Sequence, residues 1–297
     1  MKTPIFTGTC TAIITPFYQD GTINYERFSA LIQWQLQSGV DAICVCGTTG
    51  ESATLSIQEH IDVVDYCVKE VAGRCRVIAG TGSNDTATAL ELSLHAQDSG
   101  ADALLLVTPY YNKTTQEGLF RHYTYVADRV DTPILLYNVP SRTGVSFTTE
   151  TYLRLSNHPN INGIKEASGN FSLIAKTMAV CKDRLYVWSG NDDHVIPMMS
   201  LGAKGVISVA SNLIPKPMVQ MTHHFLEGRV EEAAALQLQY APLIDTLFSE
   251  VNPIPLKAAM QAAGMDSGKL RLPLWEMSEG GQQALLSEMR KAGIPVV

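Results

Sequence analysis

One residue in this chain stands out for the chemistry its place allows: Lys165, in the stretch "GIKEASGN", at the end of the run Ile161 to Ile164 and ahead of a series of small side chains. Loss of water disfavours an ammonium and favours the free amine, so a lysine in such a place is suited to attack a carbonyl carbon and form a Schiff base. The competing reading is a lysine paired with a carboxylate in a supporting role. On a strand, period-two alternation sets Lys165 on the side of Gly163 and turns Glu166 to the opposite side.

Three further groups could serve that chemistry. Tyr137 ends the run "ILLYN", and a phenol can donate and accept a proton in turn while a carbinolamine forms and collapses, although an aromatic there could equally plug a core. "GTTGE", Gly47 to Glu51, offers backbone N–H groups and the hydroxyls of Thr48 and Thr49 as a cradle for a carboxylate. Arg142, in the Pro- and Gly-bounded "VPSRTG", suits bidentate recognition of a second carboxylate, or is a solvated loop arginine. Lys113 lies in the polar "YNKTTQ", where nothing removes its water.

No metal site is expected. His223 and His224 are adjacent and face different ways on a helix, and "NDDH", Asn191 to His194, reads as an N-cap with an acidic first turn. The six cysteines contain no C-x-x-C pair; Cys44 and Cys46 fall on one strand face by alternation and read as buried thiols.

The elements that must position these groups recur along the chain. Eight short apolar runs, "TAIIT", "DAICVCG", "RVIAGTG", "ALLLVTP", "ILLYN", "INGIKE", "YVWSG" and "GVISV", alternate with helical periodicity such as Tyr25 to Gln37, Ile57 to Val71, Ala87 to Gln97 and Gln116 to Arg129. Continuously apolar strands belong to parallel sheets covered on both faces, and eight β-α units predict a closed (β/α)8 TIM barrel. A doubly wound sheet would want G-x-G-x-x-G after its first strand, whereas "GTGSND" follows the third and lacks the last glycine. In such a barrel chemistry gathers at the C-terminal ends of the strands, where Lys165, Tyr137, Thr48 and Thr49 fall. The helical segments Lys216 to Glu227, Val230 to Ser249, Ile254 to Ala263 and Ser278 to Lys291 follow the eighth run. We therefore divide the chain into a catalytic barrel, 1–228, and a C-terminal helical extension, 229–297.

Composition excludes other classes. With 22 basic against 29 acidic residues, a net charge of -7 and no basic stripe, nucleic acid is not an expected partner. No apolar run approaches the ~20 residues that span a bilayer, and the first ten residues lack the apolar core of a secretory signal, which predicts a cytoplasmic protein with no membrane partner.

Taken together, "GTTGES", "YNVPSRTG" and "GIKEASG", each at its own strand, resemble the pyruvate-dependent class I aldolases and, among them, the dihydrodipicolinate synthase family; the likeness runs the length of the chain. The resemblance implies that Lys165 forms an imine with pyruvate without metal or cofactor, while Thr48 and Thr49 hold the pyruvate carboxylate. It implies that Thr49, Tyr137 and Tyr111 relay protons, that Arg142 binds the carboxylate of L-aspartate 4-semialdehyde, and that Gly190 and the Ile207 backbone line the pocket. The product would be 4-hydroxy-tetrahydrodipicolinate, on the diaminopimelate route to lysine. Tyr111 would cross a tight dimer into the partner's site, two dimers making a homotetramer. Feedback-sensitive members bind lysine in a cleft that matches Ala53, Ile57, His60, Asn84, Thr88 and Tyr110 here. Ile57 and Thr88 stand where such members carry histidine and glutamate, which predicts weak inhibition or none. Two alternatives are weighed against this: an aldolase for a sugar acid, of the N-acetylneuraminate lyase or keto-deoxy-gluconate aldolase type, and a barrel without catalysis. Arg142 and the doubled threonine disfavour the first, and the intact Lys165, Thr49 and Tyr137 set disfavours the second.

Overall fold

A computed structural model describes residues 2–297. Eight strands, β1 Gly8–Ala12, β2 Ala42–Val45, β3 Arg76–Gly80, β4 Ala103–Val107, β5 Ile134–Asn138, β6 Ile161–Glu166, β7 Tyr186–Ser189 and β8 Gly205–Ser208, close in sequence order into a parallel barrel, with β8 pairing β1. The expected TIM barrel is the observed fold. Around it run α1 Tyr25–Gln37, α2 Ile57–Val71, α3 Thr86–Asp98, α4 Gln116–Ala127, α5 Pro140–Thr143, α6 Thr149–Ser156, α7 Phe171–Cys181, α8 Val195–Ser200 and α9 Pro215–Leu226. The extension adds α10 Val230–Leu247, α11 Ile254–Ala262 and α12 Glu279–Lys291.

Local chemistry sets the helix starts. Ser56 and Glu59 form a reciprocal capping box at α2, and the Asp85 carboxylate caps α3 through the Thr88 N–H. Apolar side chains then sort into two layers. Ile43, Val45, Leu104, Leu106, Ile134, Leu136 and Ile164 pack outward against the helices. Cys10, Ala12, Cys44, Leu105, Leu135, Tyr137 and Trp188 fill the barrel interior with Phe6, which stacks on Trp188 at 5.1 Å. Gly163 is required beside that indole, since a Cβ there would lie 2.6 Å from Trp188 Cζ3.

Two expectations are corrected. The first strand lies at Gly8–Ala12 rather than at "TAIIT", because Ile14 N–H leaves the ladder to donate to Asn212 Oδ1 at 3.1 Å. Cys44 and Cys46 do not share a face: Cys46 sits past the end of β2 with φ 53°, which breaks the alternation and turns it into the outer layer while Cys44 stays inside the barrel.

Candidate active site

Parallel pairing of β5 with β6 sets Tyr137 beside Lys165, and pairing of β6 with β7 sets Trp188 on its other flank. Lys165 is 5% exposed, its Nζ lies 4.5 Å from the Tyr137 ring centroid, and it forms no hydrogen bond or ion pair. The stem is covered and the nitrogen is left without a protein partner at the barrel mouth. Gly190, just past β7, makes the room: a Cβ there would press within 3.2 Å of Lys165 Cγ and Cε and 2.8 Å of Ala167 Cβ. Ile207, on β8, is buried in the barrel interior opposite Cys10.

The "GTTGE" segment folds into successive turns, Gly50 N–H donating to the Gly47 carbonyl and Glu51 N–H to that of Thr48. Thr49 is buried, and its Oγ1 accepts from Asn252 Nδ2 at 3.0 Å. The main-chain carbonyl of the same Asn252 takes Arg142 Nη2 at 3.0 Å. One residue of the extension thus touches both the Thr49 hydroxyl and the Arg142 guanidinium.

The extension also grips this segment from behind. Lys257 on α11 is fully buried, pairs with Glu51 Oε1 at 2.5 Å and donates to the carbonyls of Thr15 and Lys269 at 2.8 Å each. Desolvation lowers the Lys257 pKa from its ordinary value, against the opposing pull of Glu51. Arg271 N–H donates to Glu51 Oε2, while its side chain pairs with Glu59, whose pKa falls to about 2 chiefly through that hydrogen bond.

A cavity of about 440 Å³ opens beside the site, with Thr48, Glu51, Val139, Arg142 and Asn252 in its wall; Lys165 and Tyr137 lie outside that lining. Ala53, Ile57, His60, Thr88 and Tyr110 line the same cavity, so five of the six cleft residues come together. Asn84 does not join them. It lines a neighbouring pocket with Asn112 and Lys113. Tyr111 is 92% exposed, in the left-handed region at φ 66°, and lines neither cavity.

The cap expected in "NDDH" is corrected too: Asp192 and Asp193 do open the short 3-10 turn Asp192–His194, but the Asn191 side chain makes no capping bond, and Asp192 Oδ2 accepts from the Val209 and Ala210 N–H groups beyond β8. Among the described residues no three His, Cys, Asp or Glu gather as a metal would need, and no helix is long and apolar enough to cross a membrane. Asn252 and Lys257 escaped the sequence reading. The signal available for Lys257 was its place inside an apolar stripe, one residue after Leu256 and three before Met260.

Residues 5–292 match the model of the dihydrodipicolinate synthetase family. The chain is 50% identical over 292 residues to the 4-hydroxy-tetrahydrodipicolinate synthase of Thermoanaerobacter sp. (strain X514), covering 98% of each. To the enzyme of the same name from Acetivibrio thermocellus it is 48% identical over 294 residues, covering 99% of this chain and all of the other (100%). The crystal structure of dihydrodipicolinate synthase from Aquifex aeolicus superposes with a TM-score of 0.95 at 43% identity, over 98% of this chain and 99% of that one. With a closed barrel carrying a bare lysine beside a tyrosine and a threonine-glycine turn, the chain belongs to the dihydrodipicolinate synthetase family.

Proposed function

We propose that the chain joins pyruvate to L-aspartate 4-semialdehyde through an imine on Lys165 and releases 4-hydroxy-tetrahydrodipicolinate, the product for which its relatives are named. The observation that carries this reading is the Lys165 side chain, 5% exposed, whose Nζ has no acceptor and faces the Tyr137 ring. Nζ adds to C2 of pyruvate, and the carbinolamine loses water as its hydroxyl is protonated. Loss of a C3 proton gives the enamine, and C3 attacks the aldehyde carbon of the semialdehyde. The amine of that substrate then adds to C2 and displaces Lys165 as the ring closes.

Thr48 and Thr49 hold the pyruvate carboxylate. Because Thr49 Oγ1 already accepts from Asn252, its own proton is left to donate into the site, toward Tyr137. Arg142, steadied by the Asn252 carbonyl at the cavity wall, takes the carboxylate of the semialdehyde. Gly190 and the Ile207 backbone leave space over C2 and C3. Tyr111, standing out from its own chain, completes the relay of a second copy in a tight dimer, and two dimers form the tetramer.

Borohydride with pyruvate should leave a reduced adduct on Lys165, located by mass spectrometry after digestion. A label on Lys113, or full activity in Lys165→Ala, would remove the assignment. Turnover with the semialdehyde, set against a sugar-acid aldehyde, separates this reading from a sugar-acid aldolase; Arg142→Ala should spare imine formation and depress use of the semialdehyde.

A further inference from the structure

Directly behind Lys165 lies a buried carboxylate for which the imine chemistry has no use. Glu166 is 3% exposed and points out of the barrel, away from the substrate. Three donors converge on it in four hydrogen bonds: Ser168 N–H at 2.8 Å, Asn138 Nδ2 at 3.0 and 3.1 Å to the two oxygens, and the Tyr152 hydroxyl at 3.0 Å. Asn138 and Tyr152 are themselves fully buried. Burial raises the Glu166 pKa, and these hydrogen bonds oppose it by favouring the anion. So costly a group at this place calls for a role.

The register gives one. Tyr137 pairs with Lys165, and the next rung pairs Asn138 with Glu166. The two catalytic side chains and the two bridging side chains are therefore chain neighbours on adjacent rungs, pointing to opposite sides of the sheet. Lower down, the same strand pair is irregular: Ile134 pairs with Ile161 but Leu135 with Gly163, so Asn162 is the extra residue of a bulge. A bulge leaves its extra residue unpaired and breaks the ladder locally, and a slip of one residue above it would turn Lys165 out of the barrel.

We infer that Glu166 is a positioning residue: through Asn138 and Tyr152 it locks the ends of β5 and β6 to each other and to α6, and so keeps the Lys165 amine against the Tyr137 ring. The inference rests on the imine reading above. It extends that reading to a carboxylate that never meets substrate.

Glu166→Gln keeps the shape but sets an amide NH2 against the Asn138 NH2. Borohydride trapping at saturating pyruvate should then proceed roughly tenfold to a hundredfold more slowly, with kcat falling in step, as expected for a small misplacement of a reacting group. The KM for the semialdehyde should hold, because Arg142 lies elsewhere. The reciprocal pair Asn138→Asp with Glu166→Gln restores one donor facing one acceptor and should recover most of the rate. The trapping rate constant is first order, so a merely structural role would lower its amplitude through loss of folded protein and leave the constant alone. If Glu166→Gln does not fold, Asn138→Ala cuts the same bridge while leaving Ser168 and Tyr152 on the carboxylate, and the same slowing is expected. An unchanged rate constant in either folded variant, or a folded reciprocal pair as slow as Glu166→Gln, overturns the inference. A wild-type chain that takes no label at Lys165 defeats the imine reading instead.

Discussion

Lys257 and Lys165 are both buried side chains, 0% and 5% exposed, yet their surroundings are opposites. Lys257 has a carboxylate, two main-chain carbonyls and the face of Phe17 at 4.3 Å. Lys165 has one aromatic face and no acceptor. A buried cation supplied with acceptors is a fastener, and here it fastens the extension to the turn that carries Thr48 and Thr49. Lys165 has nothing to fasten to, and its nitrogen is left free for the chemistry proposed above. The same residue type thus stands in opposite surroundings, and the fastening role and the proposed imine chemistry divide along that difference.

The sharpest way to break this contrast is to replace each lysine by methionine. Lys257→Met strands Glu51 in the interior, and removing one partner of a buried pair costs roughly 3–5 kcal/mol. Thermal unfolding should show a fall in Tm of many degrees, partly recovered by adding Glu51→Gln. Lys165→Met should unfold at the wild-type temperature or above while borohydride trapping disappears. If both variants lose stability alike, the distinction between fastener and nucleophile is wrong.

A smaller effect is expected where the extension meets the front of the site. Asn252→Ala removes the donor to Thr49 but keeps the main-chain carbonyl that holds Arg142, so the loss is one hydrogen bond of roughly 0.5–1.5 kcal/mol. We expect kcat to fall roughly twofold to tenfold with the semialdehyde KM little changed. Asn252→Asp should be worse than alanine, because a carboxylate would accept from Thr49 and turn its proton away from the site. Steady-state kinetics on the two variants decides, and an aspartate variant more active than the alanine one would refute that orientation of the hydroxyl.

What the sequence made legible follows the range of the interactions involved. The bounds of α1 and α2 agree to the residue with periodicity and caps, which are properties of neighbours in the chain. That Lys165 and Tyr137 meet at neighbouring strand ends could be read from strand order and alternation, and the alternation that turned Glu166 outward was also local. Cys46 broke the alternation because a left-handed residue at a strand end leaves no mark in hydrophobicity. The bonds from Asn252 to Thr49 and from Lys257 to Glu51 join residues about 200 positions apart, and no pattern along the chain announces them. Dividing the chain at residue 228 hid the same fact: side chains of the extension stand in the wall of the site.

The smallest effect expected is that of free lysine on the wild-type enzyme. An amino-acid ligand in the cavity lined by Ile57, His60, Thr88 and Tyr110 needs a carboxylate to offset the desolvation of its ammonium groups. Two carboxylates lie near enough to consider. Glu51 is in the cavity wall, but its Oε1 is taken by Lys257 and its Oε2 by the Arg271 N–H. Asp85 is not in the cavity wall, and its Oδ2 accepts from both the N–H and the hydroxyl of Thr88 at 2.8 Å, which engages the threonine hydroxyl. Thus the fastener Lys257 has already used the one negative charge in the wall that a ligand lysine could have claimed. Titration of lysine into the assay should give half-inhibition only above the submillimolar range, or none. Thr88→Glu should strengthen inhibition roughly tenfold to a hundredfold, the equivalent of a charged hydrogen bond of about 1.5–3 kcal/mol. Submillimolar half-inhibition of the unmodified chain would show that Glu51 serves two ammonium groups at once, and the division of labour between the two buried lysines would have to be redrawn around a shared carboxylate.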